Sequence, residues 1–306
     1  MNTPSSRLQI RLRQLMYNKS IFTIKVYIND SLEPDSYDLK LPLKLKEIEI
    51  INVFWVLVFG GKNTRIFLRY QRDLLERGPF LNCSKLTYPG LKSFRFNSQP
   101  SLGPAIFNNF LTNNLNLETL GVDTELLNTQ SYTLISQQEK LKSLTLFNNH
   151  GGVNLERFEL PQFPQVQKLT ILYNNVTGNF SSVGIFIANC ENITKLTIQY
   201  FNDYNNSIAQ IISQLPKLTE LELIDRYKNQ SLQRLTLTNP SIQSLKLQNF
   251  PLKNFNIKLF ESLVKLKYIQ LQGHSQEEWN EMKDTFENFI DWKLIKLGDR
   301  TRIWKE

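Results

Sequence analysis

The sequence predicts an α/β solenoid in which short coils stack and each coil adds one strand to a parallel sheet. An apolar triplet recurs with a period of about 24 to 27 residues from residue 21 onward. The 306 residues exceed what one compact core usually fills, and the 41% apolar and 21% charged shares are typical of a folding sequence. A stack of about twelve repeats satisfies these observations.

Each triplet follows the pattern apolar-x-x-apolar-x-apolar-x-x-Asn. The pattern is complete where it begins at Ile21, Leu141 and Val166. Eight further triplets lack only the Asn and begin at Leu45, Leu91, Leu117, Ile193, Leu218, Ile242, Leu266 and Trp292. The gap after Leu45 is two periods, so a degenerate coil is predicted near 65–70. This pattern is the leucine-rich-repeat signature, which predicts a leucine-rich-repeat solenoid (horseshoe) with a parallel concave sheet of irregular coils.

The signature also predicts which side chains point inward. Position 1 anchors the entering turn, and positions 4 and 6 lie on the core side of a short strand. Between strands, apolar spacings of three and four predict convex helices at 104–114, 125–139, 180–189 and 207–215. Alternation of apolar and polar residues predicts extended returns at 154–160, 231–239 and 251–259.

The two ends are predicted to be caps around a solenoid that covers residues 21–274. Residues 1–20 form a basic amphipathic cap in this interpretation, although their arginines and serines also fit a mitochondrial presequence. Residues 275–306 are predicted to form an acidic amphipathic helix, a last strand and a charged tail. The apolar stripe of that helix contains Trp279, Met282, Phe286 and Phe289.

One stretch carries a resemblance to a known family. In residues 186–200, Cys190 stands three residues before the repeat-opening Ile193, and this arrangement resembles the cysteine-containing leucine-rich repeats of F-box proteins. The resemblance implies repeats that hold a substrate and an F-box that binds the adaptor of a cullin-type ubiquitin ligase. Within 41–77, an F-box-like opening is formed by Leu41, Pro42, Leu43, Leu45 and Ile48.

The same segment also fits the repeat. Leu45, Ile48 and Ile50 follow Ile21 by one period, and Lys44 stands where an F-box would have an acidic residue. One element cannot serve both structures. Residues 41–77 are therefore either an F-box or two repeats.

Chemistry-bearing residues are sparse. The two histidines, His150 and His274, each lie alone in a predicted loop, so sequence neighbours assemble neither a catalytic triad nor a metal cluster. The acidic residues of 277–284 have the spacing of a solvated helix face. We therefore expect a protein that is not an enzyme and that uses no cofactor and no metal.

Charge and cysteine content limit the partner and the compartment. The net charge is +8, with 36 Lys and Arg against 28 Asp and Glu, and a nucleic-acid contact through the basic N-terminal coils is the further alternative. Cys83 and Cys190 are too few for a disulfide framework, and no secretory signal or membrane span is predicted. These features predict a cytoplasmic or nuclear location.

The predicted binding surface is the concave wall, where positions 3, 5, 7 and 8 of successive coils form ladders. Aromatic and apolar side chains flanked by charges are typical of protein-binding hot spots, which predicts another protein as the partner. The candidate binding residues are Phe147, Leu172, Tyr173, Lys195, Tyr200, Ile224, Lys246 and Tyr268. In the alternative interpretation, Phe147, Leu172 and Ile224 pack against one another or against loops.

Overall fold

A computed structural model describes the strands within the first 69 residues and most of the chain from residue 92 onward. The described ranges are 23–27, 38–39, 47–51, 58–59, 65–69, 92–96, 104–148, 159–173, 180–199, 205–225, 228, 236–252, 255–286 and 291–305. The predicted cap at 1–20 lies outside them, as do Tyr200 and Phe289. The chain divides into two compact units, Met1–Phe147 with Phe158–Pro161, and Asn148–Arg157 with Gln162–Glu306.

The first unit contains a parallel sheet and two described helices. Its elements in chain order are β1 Thr23–Tyr27, β2 Asp38–Leu39, β3 Glu47–Ile51, β4 Val58–Phe59, β5 Arg65–Arg69, β6 Ser93–Phe96, α1 Pro104–Asn113, β7 Thr119–Asp123, a 3-10 turn Thr124–Leu126, α2 Thr129–Ser136 and β8 Ser143–Asn148. The sheet order is β1-β3-β5-β6-β7-β8, and all of these pairs are parallel. Strands β2 and β4 form a separate parallel pair.

The second unit continues the same alternation of strand and return segment. Its elements are β9 Lys168–Tyr173, α3 Phe180–Ala188, β10 Lys195–Gln199, α4 Asn205–Ser213, β11 Glu220–Ile224, β12 Ser244–Gln248, a 3-10 turn Ile257–Phe260, β13 Tyr268–Gln272, α5 Gln276–Phe286, β14 Trp292–Leu297 and β15 Arg300–Lys305. Strands β9 to β13 are parallel neighbours in chain order. The protein is therefore an α/β structure with open, mostly parallel sheets.

Strand positions agree with the repeat pattern throughout the described chain. A strand contains positions 4 and 6 of every triplet, and the degenerate coil near 65–70 contains β5. In the second unit the register aligns Leu169, Leu196, Leu221, Leu245 and Ile269 in one row, and each of these side chains is at most 1% exposed. Each such side chain contributes about 1.5–3 kcal/mol when it is buried. A coil buries it only against its neighbours, so the stacked coils stabilise one another.

Backbone hydrogen bonds link each coil to the next before the strands begin. Thr194 N donates to Gln167 O at 2.8 Å, Thr219 N to Thr194 O at 2.9 Å, and Gln243 N to Thr219 O at 2.9 Å. The same link joins Glu118 N to Lys92 O in the first unit, at 2.7 Å. Because these bonds recur at position 2 of successive triplets, they hold the neighbouring strands in register.

The described return segments agree with the predictions except in part of 251–259, whereas most of the predicted extended returns 154–160 and 231–239 lies outside the described residues. The four predicted helices are confirmed by α1, α2, α3 and α4. In the second unit, residues 236–239 form neither helix nor strand, as an extended return would. The prediction for 251–259 is wrong at its end, where the 3-10 turn Ile257–Phe260 begins. That turn buries Ile257 and Phe260, and the Asn256 side chain caps it by accepting a hydrogen bond from Lys258 N at 2.9 Å.

The predicted C-terminal triplet is wrong in its place in the sheet. Trp292, Ile295 and Leu297 do lie on a strand, β14, but this strand is not the next parallel member of the stack. Strand β15 lies antiparallel beside β13, and β14 lies antiparallel outside β15. The predicted charged tail is thus the inner strand of a hairpin. Its Ile303 pairs with Ile269 and is fully buried, which fills the inward place predicted for Ile295.

Helix α5 covers the core side of this hairpin, as the predicted amphipathic stripe requires. Met282 and Phe286 are buried, at 2% and 6% exposed, and Trp279 is half-buried. The ammonium of Lys296 on β14 lies 5.5 Å from the centre of the Trp279 ring. This is the helix expected for the C-terminal cap, and residues 287–290 lie outside the described chain.

The segment that resembles an F-box contains two strands of the sheet. Strand β3 pairs with β1 on one side and with β5 on the other, both in parallel. Ile48 pairs with Ile24, one period earlier, and Ile66 pairs with Ile48, so β1, β3 and β5 align their apolar positions side by side. These pairings support the repeat alternative for 47–51 and 65–69.

Candidate functional site

The face of the second unit's sheet opposite the core carries most of the described candidate binding residues. Alternate residues of a strand point to opposite faces, so the residues between the buried positions share this surface. We call it the ladder face, and its members are Lys168, Thr170, Leu172, Lys195, Thr197, Gln199, Glu220, Glu222, Ile224, Ser244, Lys246, Gln248, Tyr268, Gln270 and Gln272. The parallel register arranges them in three rows across the strands.

The first row contains an exposed ion pair. Lys195 Nζ donates to Glu220 Oε2 at 2.8 Å, and the two side chains are 41% and 53% exposed. Such a pair contributes at most about 1 kcal/mol because water screens it. The pair holds both charges in place across β10 and β11. Lys195 thus lies on the predicted surface, where Glu220 already pairs with it.

The second row contains a more buried arrangement around one carboxylate. Glu222 Oε1 accepts from Lys246 Nζ at 2.5 Å, and Glu222 Oε2 accepts from Thr197 Oγ1 at 3.1 Å. The Lys246 and Glu222 side chains are 31% and 16% exposed. Glu222 thus links β10 to β12 through side chains, so the predicted binding residue Lys246 is fixed in position.

The third row and Tyr268 supply the apolar part of the face. Leu172 and Ile224 are half-buried, and Ile224 stands between Gln199 and Gln248 in the register. Tyr268 is also half-buried, and its hydroxyl donates to Gln270 Oε1 at 3.2 Å. Aromatic and aliphatic surface therefore remains available on the ladder face, although each patch is small.

One predicted anchor is wrong. Phe147, at the end of β8 in the first unit, is 4% exposed and therefore buried. It pairs in register with Asp123, whose side chain is fully buried, so this end of the row is covered by protein. The position of a residue in the repeat therefore does not by itself determine its exposure. Phe147 belongs to the packing alternative that the sequence left open.

Two other predicted anchors remain predictions. The backbone of Tyr173 ends β9, but its side chain is not among those described. Tyr200 follows β10 and lies outside the described residues. The structure therefore brings together Leu172, Lys195, Ile224, Lys246 and Tyr268 on one sheet face.

The hairpin extends the ladder face with residues that the sequence analysis assigned elsewhere. Tyr268 pairs with Trp304, and Trp304 with Lys293; Gln270 pairs with Arg302, and Arg302 with Ile295. The third row continues through Arg300 to Leu297 in the same way. The signal for this hairpin is in the sequence, because Gly298 and Asp299 separate two alternating runs and a Gly-Asp pair is typical of a tight hairpin turn.

A polar cluster lies on the core side of the hairpin. His274 Nε2 is 2.9 Å from Thr301 Oγ1, and its ring stacks on Trp279 with centroids 6.4 Å apart. Burial lowers the pKa of His274, and Lys296 and Lys228 lower it further, against the opposing effects of the Ser275 carbonyl and Glu278. Lys228 pairs with Glu278 at 2.7 Å. Through these contacts His274 joins Trp279 of α5 to Thr301 of β15.

The described cysteine, Cys190, is enclosed. Cys190 is fully buried, and this burial raises the pKa of its thiol, so it behaves as an apolar core residue. Among the described residues, no three His, Cys, Asp or Glu side chains are grouped so that they could hold a metal ion. Within the same ranges, no helix combines the length and apolar character needed to cross a bilayer.

The geometry therefore describes a surface with fixed charges, amide side chains and scattered apolar patches on a row of parallel strands. Such a surface can contact an extended or folded partner at many points. No protein-family model matches the sequence, and no curated protein matches it significantly.

Proposed function

We propose that this chain is a leucine-rich-repeat protein that binds another protein through the ladder face and catalyses no reaction. The observation that carries this proposal is the in-register alignment of side chains on β9 to β13, with one face buried in the core and rows of mostly half-buried or exposed side chains on the other, where only Thr197 and Gln199 are buried. Rows repeated at strand spacing, about 4.8 Å, suit contact with a macromolecule rather than enclosure of a small substrate.

The chemistry of the rows supports a protein partner. Ion pairs at Lys195–Glu220 and Glu222–Lys246 place charges before a partner arrives, so binding would immobilise few additional side chains. Leu172, Ile224 and Tyr268 supply apolar contact area between them. Preformed polar groups around small apolar patches are the ordinary composition of a protein interface.

Capture of a partner by the full-length chain tests the proposal. We expect the tagged chain to recover a protein from its native cells, and recovery to fall at least tenfold, or about 1.4 kcal/mol, when Leu172→Asp and Ile224→Asp are combined. The two carboxylates would place charge in the apolar patches without opening the core. Quantitative mass spectrometry of the recovered proteins supplies the measurement.

Val264→Asp is the matched control, because Val264 is 73% exposed and lies outside the ladder face. It makes the same kind of change at a solvated turn and should leave recovery unaltered. Circular dichroism confirms that both variants fold. Equal recovery of every partner by the parent and the ladder variant would contradict the proposal.

The ubiquitin-ligase alternative remains a separate prediction. Its F-box-like segment includes β3 and β5, whose parallel pairing instead supports two repeats. The same capture experiment separates the two, because an F-box requires a cullin adaptor among the recovered proteins. The nucleic-acid alternative predicts recovered RNA or DNA whose binding weakens steeply as salt rises.

A further inference from the structure

Strand β14 forms an outer edge of the second unit within the described chain. It pairs with β15 on one side, and no described strand pairs with its other side. An edge strand offers a row of backbone donors and acceptors to which another strand can add. The edge is six residues long, Trp292–Leu297, which is enough for a partner strand to bind in register.

Apolar side chains stand exposed along this edge. Ile295 is 43% exposed, Leu297 is 45% exposed, and Trp304 on the neighbouring strand is 36% exposed. Their positions opposite Arg302, Arg300 and Lys293 place them on the face that continues the ladder face. Most apolar residues of the second unit are buried in its core, so this grouping marks a surface suited to contact.

The hairpin is strongly basic. Between 292 and 305 there are five basic residues, Lys293, Lys296, Arg300, Arg302 and Lys305, and one acidic residue, Asp299. Arg302 forms no ion pair with any residue that the structure describes. Arg300 Nε is 3.9 Å from Asp299 Oδ1, and both side chains are more than half exposed. By contrast, the lysines at 195 and 246 on the ladder face are paired with glutamates.

We infer that β14 binds an extended acidic segment of the partner protein, which adds to the sheet as a further strand. The inference deepens the proposed function and rests on it, because it names the class of partner and one place of contact. On the face that continues the ladder face, the exposed Arg302 and Arg300 stand beside Ile295 and Leu297, so a segment that combines acidic and apolar residues complements this edge. Apolar contact and charge attraction then act together.

Two other occupants fit less well. A second copy of the chain would bring two basic hairpins together, and edge lysines are a common device against such self-pairing. A nucleic acid would find charge and a Trp304 ring for stacking, but Ile295 and Leu297 offer aliphatic surface that neither stacks on bases nor contacts phosphates. Exposed aliphatic residues on a strand edge favour a protein strand.

A short peptide probe tests the inference with the full-length chain. The probe is a fluorescein-labelled, blocked peptide Val-Glu-Val-Val-Glu-Val, whose near-symmetric pattern fits β14 in either strand direction. We expect saturable binding by fluorescence anisotropy that weakens as salt rises, and at least tenfold weaker binding of the matched peptide Val-Lys-Val-Val-Lys-Val.

Variants of the chain locate the binding. Ile295→Glu combined with Arg302→Glu should weaken binding of the acidic peptide at least tenfold, because both side chains are exposed and both changes repel it. Lys258→Glu, an exposed lysine in the 3-10 turn of the return segment, should change binding less than twofold. Since neither of the two hairpin residues is buried, circular dichroism should show all variants folded.

The inference fails if the acidic peptide shows no saturable binding or binds the hairpin variant as tightly as the parent chain. It also fails if sedimentation shows a dimer that Ile295→Glu abolishes. Displacement of the labelled peptide by oligouridine at a lower concentration than unlabelled acidic peptide requires would likewise contradict it. The native partner of the capture experiment separates the two proposals. If ladder variants reduce its recovery and hairpin variants do not, the proposed function stands and this inference fails; if neither reduces it, the proposed function fails.

Discussion

Single residues that follow the strands decide where the chain can turn. Gly273, directly after β13, has a φ of +83°, and Gly298 in the hairpin turn has a φ of +64°. A Cβ at Gly273 would lie 2.0 Å from Asn249 Oδ1, whereas a Cβ at Gly298 would meet nothing within 4 Å. The two glycines therefore share backbone strain and differ in crowding.

Alanine at these positions separates strain from crowding. We expect Gly298→Ala to lower the free energy of unfolding by about 1–2 kcal/mol, the ordinary cost of a left-handed residue with a Cβ. Gly273→Ala should cost about 1–3 kcal/mol more, because the Asn249 side chain must move. Urea denaturation measures both, and equal costs would show that the contact with Asn249 relaxes freely.

We expect His274 to make the stability of the second unit depend on pH. Burial, with help from Lys296 and Lys228, lowers its pKa below the unfolded value of about 6.5, so the folded state favours the neutral ring. The unfolded chain binds more protons between the two pKa values, and stability therefore falls as pH drops through about 6.5. Above that pH the contribution is fully present.

The histidine prediction is measured by thermal unfolding between pH 7.5 and pH 5. We expect the parent to lose stability across this range and His274→Gln to lose less, because glutamine can still hydrogen-bond Thr301 but does not titrate. Glu278, whose pKa the Lys228 ion pair lowers despite its partial burial, acts at lower pH. His150→Gln replaces the second histidine and should retain the full pH dependence.

At the scale of elements, helix starts depend on side-chain caps. Asn128 Oδ1 accepts from Ser131 N at 2.8 Å, and Ser131 Oγ accepts from Asn128 N at 3.1 Å, which forms a reciprocal cap on α2. Asn108 of α1 joins this cap through Ser131 Oγ, which donates to it at 2.6 Å. The cap therefore also connects two neighbouring return helices.

Loss of this cap should be measurable. We expect Asn128→Ala to lower the free energy of unfolding by about 1–2 kcal/mol, at the upper end for a helix cap because Asn108 and Ser131 also lose a partner. Asn256→Ala is the matched control, since Asn256 caps only a short 3-10 turn through one exposed bond. A smaller loss for Asn128→Ala than for Asn256→Ala would contradict this account.

At the scale of the whole molecule, the described sheet of the second unit has one apolar face buried in the core and an opposite face that carries the polar ladder rows. The core rows are apolar in every described coil of the second unit, while charges on the ladder face are largely paired and those of the hairpin are in excess. Part of the net charge of +8 is therefore located on the hairpin, which has five basic residues and one acidic residue. Both binding proposals depend on this uneven distribution.

The repeat period alone determined where the strands lie. Positions 4 and 6 must be apolar in each coil because each strand buries the same two alternate side chains, so the pattern could be read at Leu144, Leu169 or Leu245 without knowledge of their neighbours. Four helical returns could be read for a similar reason, since helix periodicity is local.

Only the tertiary structure decided where the last strands lie in the sheet and which ladder residues stay exposed. Alternation with a period of two does not show which strand lies beside β13 or which alternate residues face the core, so Ile295 and Leu297 matched the inward pattern although they point outward in the hairpin. Exposure of Phe147, Lys195 and Lys246 depends on side chains and segments distant in sequence, because burial and ion pairing are properties of neighbours in space.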